Sequence, residues 1–142
     1  MLFRSGFNHD CSANQLFINN GNFNFSDVSS AYGVDNQGCG LATAFTDYDS
    51  DFDVDIHLAN DFGQWVAASA LYQNEFPTAN FQDVSVAANM ATTFYGMGIA
   101  IGDYDRDNDL DYYQTNLGRN LLSRNDNLVF TDVTTQALVE ND

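Results

Sequence analysis

The sequence predicts an all-β protein built from a repeated four-stranded antiparallel unit, and three observations lead there. A segment ending in alternating aspartates occurs twice in the same register. A Phe-x-Asp-Val element occurs three times. Between them lie short runs of β-branched and aromatic residues, punctuated by Gly, Asn and Asp, with no long stretch of helical apolar period.

The repeat is explicit. Gly40 to Asp55 reads GLATAFTDYDSDFDVD and Gly96 to Asp111 reads GMGIAIGDYDRDNDLD, an ungapped offset of 56 residues (96 − 40). Phe25-Ser26-Asp27-Val28 and Phe81-Gln82-Asp83-Val84 share that offset, and Phe130-Thr131-Asp132-Val133 follows 49 residues later (130 − 81). The shortfall falls at Gln64 to Ser69, which has no counterpart before Asn125. A strand precedes each Phe element: Leu16 to Asn19, Leu71 to Asn74 and Leu121 to Asn125. Further strands leave the aspartate loops at Val54 to Leu58 and Leu110 to Thr115. Turn residues such as Asn19-Asn20-Gly21 and Arg124-Asn125-Asp126 close the hairpins. The chain thus reads as one domain, 1–142, holding about two and a half units: 14–63, 64–118 and an incomplete 119–142. Such a unit cannot bury both faces alone, so units must stack, either radially as propeller blades or in a line. Two and a half units leave open strand edges, so further blades are expected from a longer chain or an assembly.

Composition narrows the function. The 142 residues carry 20 Asp+Glu against 4 Lys+Arg, a formal charge of −16. That argues against nucleic acid and anionic membrane surfaces. No apolar run approaches the roughly 20 residues of a membrane span. With 44% hydrophobic residues, including 12 Phe and 7 Tyr, there is enough apolar area for a core. Met1 to Ser5 is too short for a signal peptide, so an export leader would belong to a longer precursor. Cys11 and Cys39 can form one disulfide or stand as two thiols.

Ten of the 20 acids sit in two D-x-D-x-D-x-D-x-D loops: Asp47, Asp49, Asp51, Asp53 and Asp55, then Asp103, Asp105, Asp107, Asp109 and Asp111. Five like charges in nine residues repel unless a cation sits among them. Calcium takes 6 to 8 oxygen ligands and tolerates irregular geometry, whereas magnesium demands a strict octahedron and zinc prefers Cys and His. Two calcium sites are therefore expected. An EF-hand is excluded: its position-12 acid is replaced by Leu58 and Gln114, and the flanks are strand-like.

Residues Gly96 to Asp105, then Asp107, Asp109-Leu110-Asp111, Asn116, Asn120, Asn125-Asp126 and Phe130 to Val133, resemble the FG-GAP/VCBS repeats of seven-bladed β-propellers. The pattern is most similar to the bacterial ASPIC/UnbV and cartilage-acidic-protein group, and it extends from about Asn14 onward. The resemblance implies a partial β-propeller of four-stranded blades with calcium-binding hairpin loops. It implies that side chains at loop positions 1, 3, 5 and 9 bind calcium and that position 7 lends its carbonyl. Those are Asp47, Asp49, Asp51 and Asp55 with the Asp53 carbonyl, and Asp103, Asp105, Asp107 and Asp111 with the Asp109 carbonyl. The family places Gly at position 6, where this chain has Phe52 and Asn108.

The expected role is structural calcium in an extracellular or cell-surface module that binds protein or carbohydrate, or serves adhesion. The chain shows no Ser/His/Asp spacing and no paired His, so it is not read as an enzyme. A propeller portion of a secreted lyase or hydrolase, and an acidic salt-adapted module, are the alternatives. Phe25, Phe81 and Phe130 are expected to pack in the core or between units. The alternating small residues Gly40, Ala42, Ala44, Gly96, Gly98 and Ala100 suit a crowded inner strand. Trp65 lies in the extra segment, where packing is the default and a partner contact the alternative. His57 reads as structural, and a metal role for His9 with Cys11 is a weak signal. Asn24-Phe25-Ser26 matches a glycosylation acceptor, discounted because its Phe is assigned to a core strand.

If position 6 requires positive φ, Asn accepts it and a bulky residue costs roughly 1–2 kcal/mol. The Asp103 loop is then the tighter calcium site, and Phe52→Gly tightens the Asp47 loop. Calorimetry on Asp49→Ala, which leaves the second site, and Asp105→Ala, which leaves the first, should return the higher residual affinity for Asp49→Ala. Equal affinities refute the ranking.

Overall fold

The computed structural model describes residues 10–140. Ten strands form in chain order: β1 (Phe17–Asn19), β2 (Phe25–Asp27), β3 (Cys39–Thr46), β4 (Asp55–Asp61), β5 (Ala70–Asn74), β6 (Phe81–Asp83), β7 (Gly96–Gly102), β8 (Asp111–Asn116), β9 (Leu121–Asn125) and β10 (Phe130–Asp132). No helix forms among the described residues. The strands make a hairpin, β1-β2, and two antiparallel four-stranded sheets, β3-β4-β5-β6 and β7-β8-β9-β10, each in simple sequence order.

The two sheets share their registers. Thr46 pairs with Asp55 and Gly102 with Asp111, so both aspartate loops leave a strand at the same rung. Each first strand also carries an irregularity, between Gly40 and Ala42 and between Gly96 and Gly98. The hairpins match as well: Asn19 faces Phe25, Asn74 faces Phe81, and Asn125 faces Phe130.

Period-2 alternation gives the middle sheet two apolar faces. Ile56, Leu58, Ala70 and Tyr72 turn one way, packing with Val34, Leu16 and Tyr32 from the hairpin side. Leu71, with Tyr48, Val84, Ala88 and Met90, turns the other way onto Tyr112, Phe130, Ile99 and Ile101 of the second sheet. β4 is therefore covered on both faces, and Asp55 through Asn60 are all buried. The sheets come close at Gly96, where a Cβ would meet Asn60 O at 3.0 Å and Ala59 Cβ at 3.1 Å. Crowding thus explains the glycine at Gly96. It does not explain Ala100, which is exposed, or Gly102, whose Cβ would meet nothing within 4 Å.

The polar seam between the sheets is also specific. His57 is fully buried and meets the Tyr112 ring edge-on at 4.8 Å, with its Nε2 3.2 Å from Gln114 Nε2. Burial lowers its pKa to about 4, so the imidazole is neutral in the fold. It is a packed core residue, as the sequence implied. Cys11 and Cys39 pair as a disulfide, their Cα atoms 5.0 Å apart, which settles the alternatives left open by the sequence. Cys11 is therefore committed, and His9 lies outside the described residues.

The Phe-x-Asp-Val element gains a physical reason. In each copy the Asp accepts the N–H of a hydroxyl residue two positions on: Ser29 on Asp27, Ser85 on Asp83 and Thr134 on Asp132, each at 3.0 Å. That hydroxyl in turn accepts a backbone N–H from the start of the hairpin, from Leu16 just before β1, Leu71 in β5 and Leu122 in β9, at 2.7, 2.8 and 2.8 Å. The aspartate thus orients a hydroxyl that satisfies an otherwise orphaned donor.

The expected packing of the three phenylalanines holds for two. Phe130 is 1% exposed and Phe81 packs against the hairpin-side cluster, but Phe25 is 55% exposed. Its partner face would have to come from a sheet ahead of β1-β2, and no described residue supplies one. The reason given for discounting Asn24 as an acceptor therefore does not stand. Trp65 is likewise exposed, at the turn where its N–H bonds Phe62 O at 2.8 Å.

Removing the Ser85 hydroxyl strands the Leu71 N–H in the core. Ser85→Ala is expected to lower stability by about 1–3 kcal/mol, and Asp83→Asn, which leaves that acceptor in place, by less. Urea denaturation of the two variants checks the order.

Candidate metal centres

Each aspartate loop joins an edge strand to its neighbour, β3 to β4 and β7 to β8. Position 9 is the anchor. Asp55 and Asp111 open the second strand and are buried. One oxygen of each accepts the backbone N–H of position 2: Tyr48 to Asp55 and Tyr104 to Asp111, both at 2.8 Å. The other accepts an N–H from the third strand: Asn74 to Asp55 at 2.8 Å and Asn125 to Asp111 at 2.9 Å. Burial pushes the Asp55 pKa up to about 6, against the pull of the Asn74 and Tyr48 N–H groups.

Position 1 closes the loop on itself. Asp47 accepts the N–H groups of Asp51 and Phe52 at 3.1 and 3.2 Å. Asp103 accepts those of Asp107 and Asn108, both at 3.2 Å, and that of Arg106 at 2.6 Å. The donors come from the chain's own reversal, in which positions 4 and 6 both have positive φ: Ser50 +61° and Phe52 +74°, Arg106 +70° and Asn108 +79°. Position 6 thus has the backbone that would favour glycine. Position 4 shares it, which neither Ser nor Arg announces in a sequence.

Position 3 completes a group. Ligand oxygens of Asp47, Asp49 and Asp55 lie within 4.8 Å of one another, as do those of Asp103, Asp105 and Asp111. Both groups could hold a metal ion. The donors are all carboxylate oxygen, which suits a hard cation. Asp49 Oδ1 is shielded from solvent with no hydrogen-bond partner among the described residues, so an acceptor there is left to be satisfied. Burial, then the charge of a neighbouring aspartate (Asp51 and Asp107 respectively), raises the pKa values of Asp49 and Asp105, as expected for carboxylates gathered without a counter-ion.

The structure thus brings together positions 1, 3 and 9 of the expected ligand set. Position 5 stands outside the group. Asp51 Oδ1 accepts the Asp53 N–H at 3.0 Å and Asp107 Oδ1 the Asp109 N–H at 2.9 Å, so each braces the turn. The side chains of Asp53 and Asp109 also lie outside the group.

Two residues from the third strand belong to these centres and were missed in the sequence. Gln73 Nε2 donates to Asp49 Oδ2 at 2.7 Å. In the second sheet the same place holds Arg124, whose Nε is 3.8 Å from Asp105 Oδ2 and 2.8 Å from Asp126 Oδ1. The first loop thus faces a neutral amide and the second a guanidinium. The signal was available: Gln73 and Arg124 each precede the asparagine that ends its strand. The chain matches no family model and no curated protein.

Phe52 and Asn108 are both exposed, so the strain at position 6 can be tested with little change in packing. With EDTA present, Phe52→Asn is expected to raise stability by about 1 kcal/mol, and Asn108→Phe to lower it by about as much. Urea midpoints of the two variants check this; no change in either dismisses the strain.

Proposed function

We propose that this chain is a calcium-binding segment of a β-propeller of the FG-GAP/VCBS kind, in which calcium is structural and the module serves extracellular or cell-surface binding of protein or carbohydrate, or adhesion. The observation that carries it is the pair of three-carboxylate groups, Asp47-Asp49-Asp55 and Asp103-Asp105-Asp111, at the same place in two sheets of the same register.

The proposed calcium would be held by those side chains, with carbonyl, carboxylate and water oxygens completing its shell. Its effect follows from what the ligands are attached to. Position 1 follows the last residue of one strand, and position 9 begins the next. Position 9 also receives an N–H from the third strand. A cation there cancels the repulsion within the loop and braces three strands of one sheet. The Cys11–Cys39 disulfide is compatible with an oxidising, extracellular setting. Calcium is abundant in such settings, so even weak sites would fill.

A ligand that binds only the folded state stabilises it by RT ln(1+[L]/Kd), about 2.7 kcal/mol at a hundredfold excess over Kd. Chelation with EDTA is therefore expected to lower the melting temperature by roughly 5–10 °C per filled site. Added calcium should restore it, and sodium at matched ionic strength should not. Identical melting in all three solutions refutes structural calcium, and equal rescue by sodium favours a salt-adapted acidic surface.

A further inference from the structure

One tripeptide marked by the sequence has no part in the metal centres. Asn24-Phe25-Ser26 is an Asn-x-Ser acceptor without proline at its centre, and no other asparagine of the chain is followed two residues later by Ser or Thr. It lies where the β1-β2 turn enters β2 (Phe25–Asp27). The turn holds its backbone: the Asn24 N–H donates to Gly21 O at 3.0 Å, and Asn24 O accepts the Asn20 N–H at 2.8 Å. Both polar side chains are exposed. The Asn24 amide has no hydrogen-bond partner among the described residues, and Ser26 Oγ accepts one bond from Asn20 Nδ2 at 2.7 Å.

That exposure belongs to the repeat. Asn80 and Gln82 flank the partly buried Phe81, Val129 and Thr131 flank the buried Phe130, and all four flanking residues are exposed. In both places a preceding unit already packs against the phenylalanine. Alternation explains the difference: the phenylalanine turns toward the neighbouring unit, and the residues before and after it turn to solvent. Asn24 and Ser26 therefore stay open whether or not Phe25 is covered. β2, like β6 and β10, is also an outer strand with one unpaired edge.

We propose that Asn24 is an attachment site for an N-linked glycan, added during export. The Asn24 amide nitrogen bonds to the anomeric carbon of an oligosaccharide carried on a lipid pyrophosphate. The bond from that carbon to the pyrophosphate oxygen breaks, the lipid pyrophosphate leaves, and one amide proton passes to a base of the transferase. The inference rests on the extracellular part of the proposed function and not on calcium. The Cys11–Cys39 disulfide is compatible with the same oxidising route. A bulky, hydrophilic group here shields Phe23, 99% exposed in the turn, and hinders another chain from pairing with the β2 edge.

Translation of the full chain behind an added export leader, with rough microsomes present, supplies the transferase and its lipid-linked donor. Protease protection selects the translocated molecules. They are expected to gain a single glycan, released by a glycan-specific amidase with conversion of Asn24 to aspartate. Asn24→Gln and Ser26→Ala are expected to abolish the gain in mass, and Ser26→Thr, which keeps the hydroxyl, to retain it. Both mutated side chains are exposed, so loss of the glycan is not loss of the fold, and an unchanged melting temperature of each variant confirms this. Translocated wild-type chains without a glycan, or a glycan retained in Asn24→Gln, overturn the proposal. Translocation is imposed by the leader and scored separately, so that failure leaves the extracellular reading and the calcium melting test untouched.

Discussion

The structure depends on a buried carboxylate at the start of the strand after each loop. Asp55 and Asp111 lie out of water, where an ionised group is tolerated only when well hydrogen-bonded. Each receives one N–H from the loop behind it and one from the strand beside it. That single side chain therefore fixes where the loop turns, which rung begins the strand, and how the third strand aligns. The same bonds extend across the sheets. Asn125, whose N–H serves Asp111, donates its side-chain amide to Tyr48 O at 3.2 Å, and the Tyr48 N–H serves Asp55. The two buried aspartates thus stand at the ends of one hydrogen-bonded path through Tyr48 and Asn125.

What the sequence made legible was mostly periodic. Strand positions followed from alternation and turn residues, and Asp47 through Asp55 stood out because charge on every second residue has no place on a buried strand. What stayed hidden was the turn within the loop. Alternation in sequence does not mean alternation in space once four backbone angles, at Ser50, Phe52, Arg106 and Asn108, take positive φ. That reversal turns an oxygen of Asp51 and of Asp107 onto a backbone N–H, while both stay close enough for their charge to act on Asp49 and Asp105. Gln73 and Arg124 were harder to read for a different reason, since their partners, Asp49 and Asp105, lie in loops far back along the chain. The hydroxyls of Ser29, Ser85 and Thr134 were in plain view, one residue past the end of the motif as first read.

Phe25 shows how a correct equivalence can mislead. It matches Phe81 and Phe130 in register, and its sequence context is the same. Burial, however, is a property of two faces, and the sequence of one unit reports only its own. A repeat predicts the interface it would make and says nothing about whether the other half is there.

The −16 charge acts at two ranges. Within a loop, carboxylates separated by less than 4.8 Å repel at close quarters, and salt screens such a pair weakly because its members lie well inside a Debye length. Between molecules the same charge acts over longer distances, where about 8 Å of Debye length at physiological ionic strength removes most of it. A bound cation is therefore the effective remedy inside the loop. Arg124 is a partial substitute for that remedy. It sits 3.8 Å from Asp105 in the second loop, where the first loop has only the amide of Gln73. The second loop thus combines an easier backbone at Asn108 with a competing positive charge, and the first combines a strained Phe52 with no such competitor. The two effects oppose each other, so the difference in cation affinity between the loops measures which is larger: a left-handed phenylalanine or a neighbouring guanidinium.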